Sequence, residues 1–250
     1  MILAIDIGNS RLKWALADGG AILRSGAGPW RDGGIAPLLD AAIGTDPAPA
    51  RIVASSVAGS AAAEQLDAWS RARNARAAEM LQVSGAACGV RNGYLRPREL
   101  GVDRWLGAIA AWNLVGGPAC VVDCGTATTV NVLGADGEFR GGIIAPGFNL
   151  MQRALASNTA QLFAPGYTPP QWPARTTADA ISAGSLNAVA GGIERALRAL
   201  RAEAGAGLKL LLTGGESELL APHLDPAFRR VPDLVLRGVL VSAGMPVPLP

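Results

Sequence analysis

The chain has 250 residues, half of them hydrophobic, with 32 Gly, 17 Pro and a formal net charge of +2. This length and composition predict a globular protein of one large or two modest domains and exclude an intrinsically disordered chain. Because the net charge is small and the arginines are scattered, the sequence shows no electrostatic footprint for nucleic acid.

The first predicted element is a hairpin over AIDIGNSRLKWAL, residues 4–16. Its first strand contains Asp6, and a break at Gly8-Asn9-Ser10 separates it from the second strand. Asp is depleted in strands, and an unpaired buried carboxylate is costly. A turn in which Asp6 only caps the local backbone explains the pattern as well as a chemical role does.

After the first hairpin, the apolar pattern alternates between periods typical of helices and of strands. This alternation predicts an α/β fold. The predicted elements are a strand at 21–25, a helix at 35–43, a strand at 51–56, a helix at 61–75 and a strand near 79–83.

An apolar segment between Arg104 and Asp123, WLGAIAAWNLVGGPACVV, has 18 uncharged residues and is just long enough to span a bilayer. Gly116-Gly117-Pro118 divides it, and Pro is poorly tolerated inside a helix or a strand. We therefore expect a buried helix that begins near Asp103 and runs through Trp112, then a turn and a buried strand, and no membrane span.

Few side chains suit a disulfide or a metal site. Cys120 and Cys124 fall on one face of a predicted strand, and with Cys88 they are expected to be buried reduced thiols of a cytosolic protein. No secretory signal is expected, because Asp6 interrupts the first apolar run. The single histidine, His223, excludes His-based triads and most zinc sites.

Residues 122–133, VDCGTATTVNVL, repeat the pattern of residues 5–16, IDIGNSRLKWAL, about half a chain length later. Each acid follows a β-branched run and precedes a second alternating strand. The aligned pairs are Asp123 with Asp6, Gly125 with Gly8, and Thr126 with Asn9.

The second half then continues as the first does. The two halves predict an N-terminal domain at 1–115 and a C-terminal domain at 116–250. The predicted elements of the second half are a strand at 138–144, a helix at 148–155, a helix at 177–203, a strand at 208–212 and a helix at 234–243.

Two acid-glycine hairpins predict a small-molecule site between two domains. Glycine lets the backbone approach a phosphate, turn N–H groups attract anions, and carboxylates can hold a cation beside the phosphates. No P-loop and no G-x-G-x-x-G after a strand occurs, so a nucleotide would be bound by the paired hairpins. Lys13 would add positive charge, and hydroxyl donors would come from Ser10, Thr126, Thr128 and Thr129.

Six motifs occur in one order along essentially the whole chain. Together they resemble type III pantothenate kinases, within the superfamily of acetate and sugar kinases, Hsp70 and actin. The motifs are DIGNS (6–10) with Lys13, GVDR (101–104), DCGTATT (123–129), PGFNLMQRAL (146–155), TTADAISAG (176–184) and TGGE (213–216).

The resemblance implies two ribonuclease-H-like (actin-like ATPase) domains with ATP bound in the cleft between them. It implies that the protein phosphorylates pantothenate to 4'-phosphopantothenate, the first committed step toward coenzyme A. The implied cofactors are ATP with Mg²⁺ and a monovalent cation, K⁺ or NH₄⁺. The implied protein is a cytoplasmic homodimer whose partners are pantothenate and ATP, with no nucleic acid and no membrane.

The resemblance also implies residue roles. Asp103 of GVDR would be the base that accepts the substrate hydroxyl proton, Asp123 would bind the monovalent cation, and Asp6 would organise Mg²⁺ through water. The implied ATP-binding residues are Asp6, Gly8, Asn9, Ser10, Lys13 and Thr126, and the implied pantothenate-binding residues are Tyr94, Gly101, Val102, Asp103, Arg104 and Thr177.

Simpler interpretations stand beside these roles. Asp103 at a helix start is a common first-turn residue, Arg104 could lie on the surface, and Thr177 could be a helix N-cap. The sequence departs from the family pattern at Ser10, where Thr is usual, and at Val102, where Ala is usual. The second change adds two methyl groups beside the substrate motif.

Two other functions remain open. One is a non-catalytic regulatory or accessory protein with the same nucleotide-binding fold. Loss of Asp103 or Lys13 would favour it, and both are present. The other is a different small-molecule kinase, such as a sugar kinase. The short chain and the GVDR loop oppose that function, which fold alone could not exclude.

Overall fold

The computed structural model describes residues 1–44, 48–74, 76–204, 207–225, 227–246 and 248. The strands are β1 (Ile2–Ile7), β2 (Arg11–Asp18), β3 (Ala21–Pro29), β4 (Arg51–Ser56), β5 (Glu79–Met80), β6 (Ala86–Ala87), β7 (Val90–Asn92), β8 (Ala119–Cys124), β9 (Ala127–Leu133), β10 (Glu138–Pro146), β11 (Lys209–Thr213) and β12 (Arg229–Arg230). The helices are α1 (Ile35–Ile43), α2 (Ser60–Asn74), α3 (Val102–Val115), α4 (Phe148–Asn158), α5 (Thr177–Ala204), α6 (Ser217–Leu220) and α7 (Leu234–Ser242).

The chain forms two units, and neither is a single continuous segment. The predicted domains 1–115 and 116–250 stay a prediction, and the units depart from those ranges in two segments. Unit 1 comprises Met1–Gly116, Asp136–Arg140 and the segment from Asp233 onward, and unit 2 comprises Gly117–Ala135 and Gly141–Pro232.

The main sheet of unit 1 has the strand order β3-β2-β1-β4-β5. β1 pairs antiparallel with β2 and parallel with β4. All six residues of β1 are buried, as expected for a strand covered on both faces. Side chains of α1 and α2, such as Leu39 and Leu66, join Leu3 and Ile5 in one core cluster, and α7 packs on β1, β2 and β4.

Helix α3 lies against α7 in unit 1. The approach is close at Gly238, where an added Cβ would lie 2.1 Å from the carbonyl oxygen of Leu106. α3 ends at Val115, and the next residue, Gly116, has a left-handed conformation (φ 62°) that turns the chain out of the helix while its N–H donates to the Trp112 carbonyl at 2.9 Å. The stop predicted at Gly116-Gly117-Pro118 is therefore confirmed.

Unit 2 contains strands in the order β12-β11-β8-β9, followed by β10 from Gly141 onward. β8 pairs antiparallel with β9 and parallel with β11. Cys120, Val122 and Cys124 of β8 pack with Leu186 and Val189 of α5 in one core cluster. The second hairpin is therefore an inner part of its sheet, as the first hairpin is in unit 1.

The structure confirms the alternation of helices and strands and corrects some bounds. β3 extends to Pro29, and β5 is shorter than predicted, at Glu79–Met80. The predicted end of the second helix at residue 75 lies outside the described residues. The described part of the chain contains no helix long and apolar enough to cross a membrane.

Candidate functional site

In the first hairpin, Asp6 is a buried acid with bonded partners. Its side chain is 7% exposed, and its Oδ1 accepts a hydrogen bond from the Ser55 hydroxyl at 2.9 Å. Across the sheet, its Cα lies opposite Lys13 on one side and Ser55 on the other. The Ser55 hydroxyl of β4 gives the buried carboxylate a hydrogen-bond partner within the sheet, which lowers the cost of an acid in this strand.

Side chains of the residues that follow β3 donate hydrogen bonds to the turn of the first hairpin. The N–H of Gly8 donates to the Arg11 carbonyl at 3.0 Å, so that Asn9 and Ser10 form an exposed turn. The indole N–H of Trp30 donates to the Gly8 carbonyl at 2.9 Å, and Arg31 Nε donates to the Asn9 carbonyl. The turn carbonyls therefore bond to the protein, which favours an anion near the turn.

The second hairpin differs from the first in what lies opposite its acid. Asp123 is half-buried, and its Cα lies opposite Thr129 and Thr213. In the first hairpin, Lys13 stands at the corresponding place because that turn is longer. The second acid thus faces hydroxyl-bearing residues and no lysine across the sheet.

The turn of the second hairpin is held by backbone bonds. The N–H of Gly125 donates to the Ala127 carbonyl at 3.1 Å, and the N–H of Gly147 donates to the Thr126 carbonyl at 3.0 Å. Thr126 is exposed at the tip of this turn. The segment that precedes α4 therefore fixes the turn from one side.

Asp103 lies in the first turn of α3, as predicted. Its Oδ1 accepts the N–H of Arg104 at 2.8 Å, and among the described residues its Oδ2 accepts no hydrogen bond. A helix N-terminus stabilises negative charge. An added Cβ at Gly101 would lie 2.5 Å from Asp103 Oδ1, so a larger residue there would displace the Asp103 carboxylate.

Arg104 is buried, so the interpretation of a surface arginine is wrong. Only 7% of it is exposed, and its Nη1 donates to the Tyr94 hydroxyl at 2.5 Å. The guanidinium carbon lies 5.5 Å from the ring centroids of both Tyr94 and Phe139. The aromatic faces and the hydroxyl hold the charged group in place. The sequence did not point to Phe139, because nothing local links it to the GVDR loop.

The model of the family described as type III pantothenate kinase matches residues 2–199. The chain belongs to this family. It is 44% identical to a type III pantothenate kinase of Aromatoleum aromaticum, over 97% of this chain and 98% of that one. The family and the enzyme class predicted from the motifs are thereby confirmed.

Solved structures show the fold of this type III pantothenate kinase family member. A Baf family protein from Campylobacter jejuni aligns with a TM-score of 0.59 and 21% identity, over 97% of this chain and 98% of that one. An archaeal actin homologue aligns with a TM-score of 0.50 and 12% identity, over 97% and 99%. These likenesses confirm the predicted actin-like fold class.

The predicted site residues of the kinase divide between the units. Unit 1 contains those of the first hairpin and the Tyr94–Arg104 region, including Val102, which is buried. Unit 2 contains Asp123, Thr126 and Thr177. Their roles stay predictions.

Thr177 is not the cap of α5. The hydroxyl of Thr176 accepts the N–H of Asp179 at 3.1 Å and donates to its carboxylate at 2.7 Å. This is the bonding of an N-cap residue with its third-position acid, so the cap is one residue earlier than predicted. Thr177 is exposed in the first turn, and the capping bonds do not use it.

The cysteines are three free thiols in two environments. Burial raises the pKa of Cys120 to about 12, and burial together with the charges of Asp123 and Glu216 raises the pKa of Cys124. Cys88 is exposed, so the expectation that all three thiols are buried is wrong for this one. It follows a short strand at a tight turn, with φ 49°, and not a core strand.

Within the described ranges, no group of three or more His, Cys, Asp or Glu side chains could hold a metal ion. Single carboxylates still fit a cation that is coordinated mostly by phosphates and water. Mg²⁺ in kinases is usually held by one or two carboxylates and substrate phosphates, so Asp6 suits it. Asp123 likewise offers one carboxylate.

Proposed function

We propose that the protein transfers the γ-phosphoryl group of ATP to the pantoate-side hydroxyl of pantothenate. Family membership supports this reaction, since the relatives that match over nearly the whole chain are named type III pantothenate kinases. The observation that supports it within the structure is Asp103, with one carboxylate oxygen fixed and the other available, next to a buried arginine.

Asp103 is the proposed base. Phosphoryl transfer depends mainly on alignment and on neutralisation of charge, so a carboxylate at the substrate hydroxyl both orients it and accepts its proton. The bond from the Arg104 N–H limits rotation of the Asp103 side chain. Arg104 supplies positive charge, and its guanidinium is positioned by the Tyr94 hydroxyl. The proposed contacts to pantothenate are Tyr94, Gly101, Val102 and Arg104.

The first hairpin is the proposed site for the phosphates of ATP. Asn9 and Ser10 form its exposed turn, and Gly8 leaves room for close approach. Lys13 would add a positive charge. Asp6 would hold Mg²⁺ through water, and the ion would neutralise phosphate charge when bound.

The second hairpin is the proposed site for a monovalent cation and for a contact from Thr126 to ATP. Across the sheet the Cα of Asp123 lies opposite Thr129 and Thr213, whereas that of Asp6 lies opposite Lys13, so the two hairpins offer different groups to a cation. We further infer a cytoplasmic homodimer, with Thr177 contacting pantothenate. Light scattering of the purified protein would measure its mass in solution.

The experiment that tests the proposal compares Asp103→Asn with Asp67→Asn. Asn has the shape of Asp but accepts no proton, so kcat should fall about 10²- to 10⁴-fold. Asp67 lies on α2, and its ion-pair partner among the described residues is Arg71, so its variant should keep wild-type activity. Phosphate transfer would be followed in a coupled assay with pantothenate and ATP, with and without potassium.

Two results would contradict the proposal. Near-wild-type turnover of Asp103→Asn would remove this residue from the mechanism. Wild-type protein that binds Mg-ATP but phosphorylates no pantothenate would instead favour the non-catalytic alternative or a kinase for another alcohol. Asp103→Asn should keep the thermal shift caused by Mg-ATP, which separates a lost base from a lost fold.

A further inference from the structure

Glu216 connects three segments of unit 2. Its N–H donates to the Cys124 carbonyl at 2.8 Å, at the end of β8. Its carboxylate accepts the N–H of Phe148 at 2.9 Å and the N–H of Asn149 at 3.2 Å, at the start of α4. Asn149 also donates its side-chain amide to the same carboxylate at 2.8 Å. One residue thus bonds to β8 and to α4, and it directly precedes α6.

Two glycines let these segments approach at backbone distance. An added Cβ at Gly147 would lie 2.1 Å from the Gly125 carbonyl oxygen and 3.0 Å from Glu216 Oε2. An added Cβ at Gly214 would lie 2.3 Å from the Cys124 carbonyl oxygen and 2.4 Å from Asp123 Oδ1. At such distances the segments cannot shift independently, because packed interiors transmit displacements. A movement of the Glu216 segment would therefore displace the turn at Gly125.

The carboxylate of Glu216 also takes the place that an anion could occupy. The first N–H groups of a helix have no partner within the helix and attract negative charge. In α4 those of Phe148 and Asn149 bond to Glu216 instead. The start of α4 is thereby neutralised, and the exposed turn beside it, with Thr126, is left as the place for a phosphate.

We propose that Glu216 is a positioning residue for ATP, which holds the Asp123–Thr126 turn in the conformation that receives the nucleotide. This inference rests on the proposed function of that turn. Glu216 touches no reacting atom in this proposal; it acts through its bonds to Cys124 and to the start of α4.

The test compares Glu216→Ala and Glu216→Gln with the matched control Glu218→Ala. Glu218 lies two residues away in α6, is 85% exposed and has one long contact of 3.7 Å to Arg230. Glu216→Gln keeps the side-chain volume, so it remains informative if the alanine variant does not fold. It removes one hydrogen bond, because its NH₂ group is a donor and faces a backbone N–H. KM for ATP, KM for pantothenate and the half-activating potassium concentration would be measured at 25 °C, and Mg-ATP binding would be measured by calorimetry without pantothenate.

A misplaced binding group can cost on the order of 10²-fold, so we expect KM for ATP and the Kd of Mg-ATP to rise at least ~10-fold in Glu216→Ala. Glu216→Gln should be intermediate, KM for pantothenate should not change, and Glu218→Ala should match the wild type. A folded Glu216→Gln with wild-type Mg-ATP affinity and potassium response would overturn the inference and leave Glu216 as a helix cap only. Wild-type protein that fails to bind Mg-ATP would overturn the proposed function and this inference with it.

Discussion

Gly238→Ala tests the packing of the helix that carries Asp103. An added Cβ would lie 2.1 Å from the carbonyl oxygen of Leu106 and 2.6 Å from its carbonyl carbon. Optimal separation of non-bonded heavy atoms is about 3.5 Å, so α7 and α3 would have to separate by roughly 1 Å or more. The obstacle is backbone, which cannot rotate away as a side chain can.

Two opposing effects set the size of the change. Alanine is favoured over glycine inside a helix by about 1 kcal/mol. Overpacking a core costs about 1–3 kcal/mol, and the upper end applies because backbone must move, so Gly238→Ala should lower the free energy of unfolding by about 2 kcal/mol. Gly107 of α3 is the matched control, because an added Cβ there meets nothing within 4 Å. Gly107→Ala should instead raise stability by up to about 1 kcal/mol.

The measurement is hydrogen exchange of the α3 amides in both variants and in the wild type. This method reports on unit 1 alone, whereas bulk unfolding of a two-unit chain need not be one transition. Relative to the wild type, exchange of the α3 amides should be faster in Gly238→Ala and slower in Gly107→Ala. The kcat should fall only in Gly238→Ala, since Asp103 lies on the displaced helix. Equal protection in the two variants would refute the inferred contact between Gly238 and Leu106.

Two further predictions concern the cations and the thiols. Asp123→Ala should lose activation by potassium or ammonium, whereas Asp6→Ala should chiefly impair the use of Mg-ATP. The measurement is the activity of each variant at varied concentrations of both ions. A wild-type potassium response in Asp123→Ala would show that the second acid has another role. At pH 8 a thiol reagent should modify Cys88 quickly, because this side chain is exposed. The reagent should modify Cys120 and Cys124 only after unfolding, because burial raises their pKa and keeps the thiols protonated. Equally fast modification of all three thiols in the native protein would contradict that burial.

The sequence predicts the hairpins well because their information is local. Asp-X-Gly between alternating strands specifies a turn within a dozen residues, and the structure has both turns where the pattern places them. The family motifs likewise indicate Asp103 correctly as a first-turn residue of α3. Its role as a base remains a prediction that only the variants test.

Contacts between distant segments could not be predicted from the sequence. Trp30 and Arg31 bond to the first turn from 22 residues away along the chain. Glu216 reaches Phe148 across 68 residues, and Arg104 packs against Phe139 through a segment that pairs with β7. Each depends on how strands are ordered in a sheet, and hydrophobic periodicity does not encode that order. The sequence does contain one weak indication of the contact at Glu216: this residue and Phe148 both lie in family motifs, TGGE and PGFNLMQRAL, which are hydrogen-bonded to each other in the structure.

The return of the chain to unit 1 at Asp233 affects how the protein is made on the ribosome. Domains generally fold in the order in which they are synthesised. Here β1 is made before unit 2, and α7, with its buried Leu236, Val239 and Leu240, is made after it. Unit 1 therefore acquires α7 only after unit 2 has been synthesised, and until then the apolar surfaces of β1 and α3 lack the helix that packs on them.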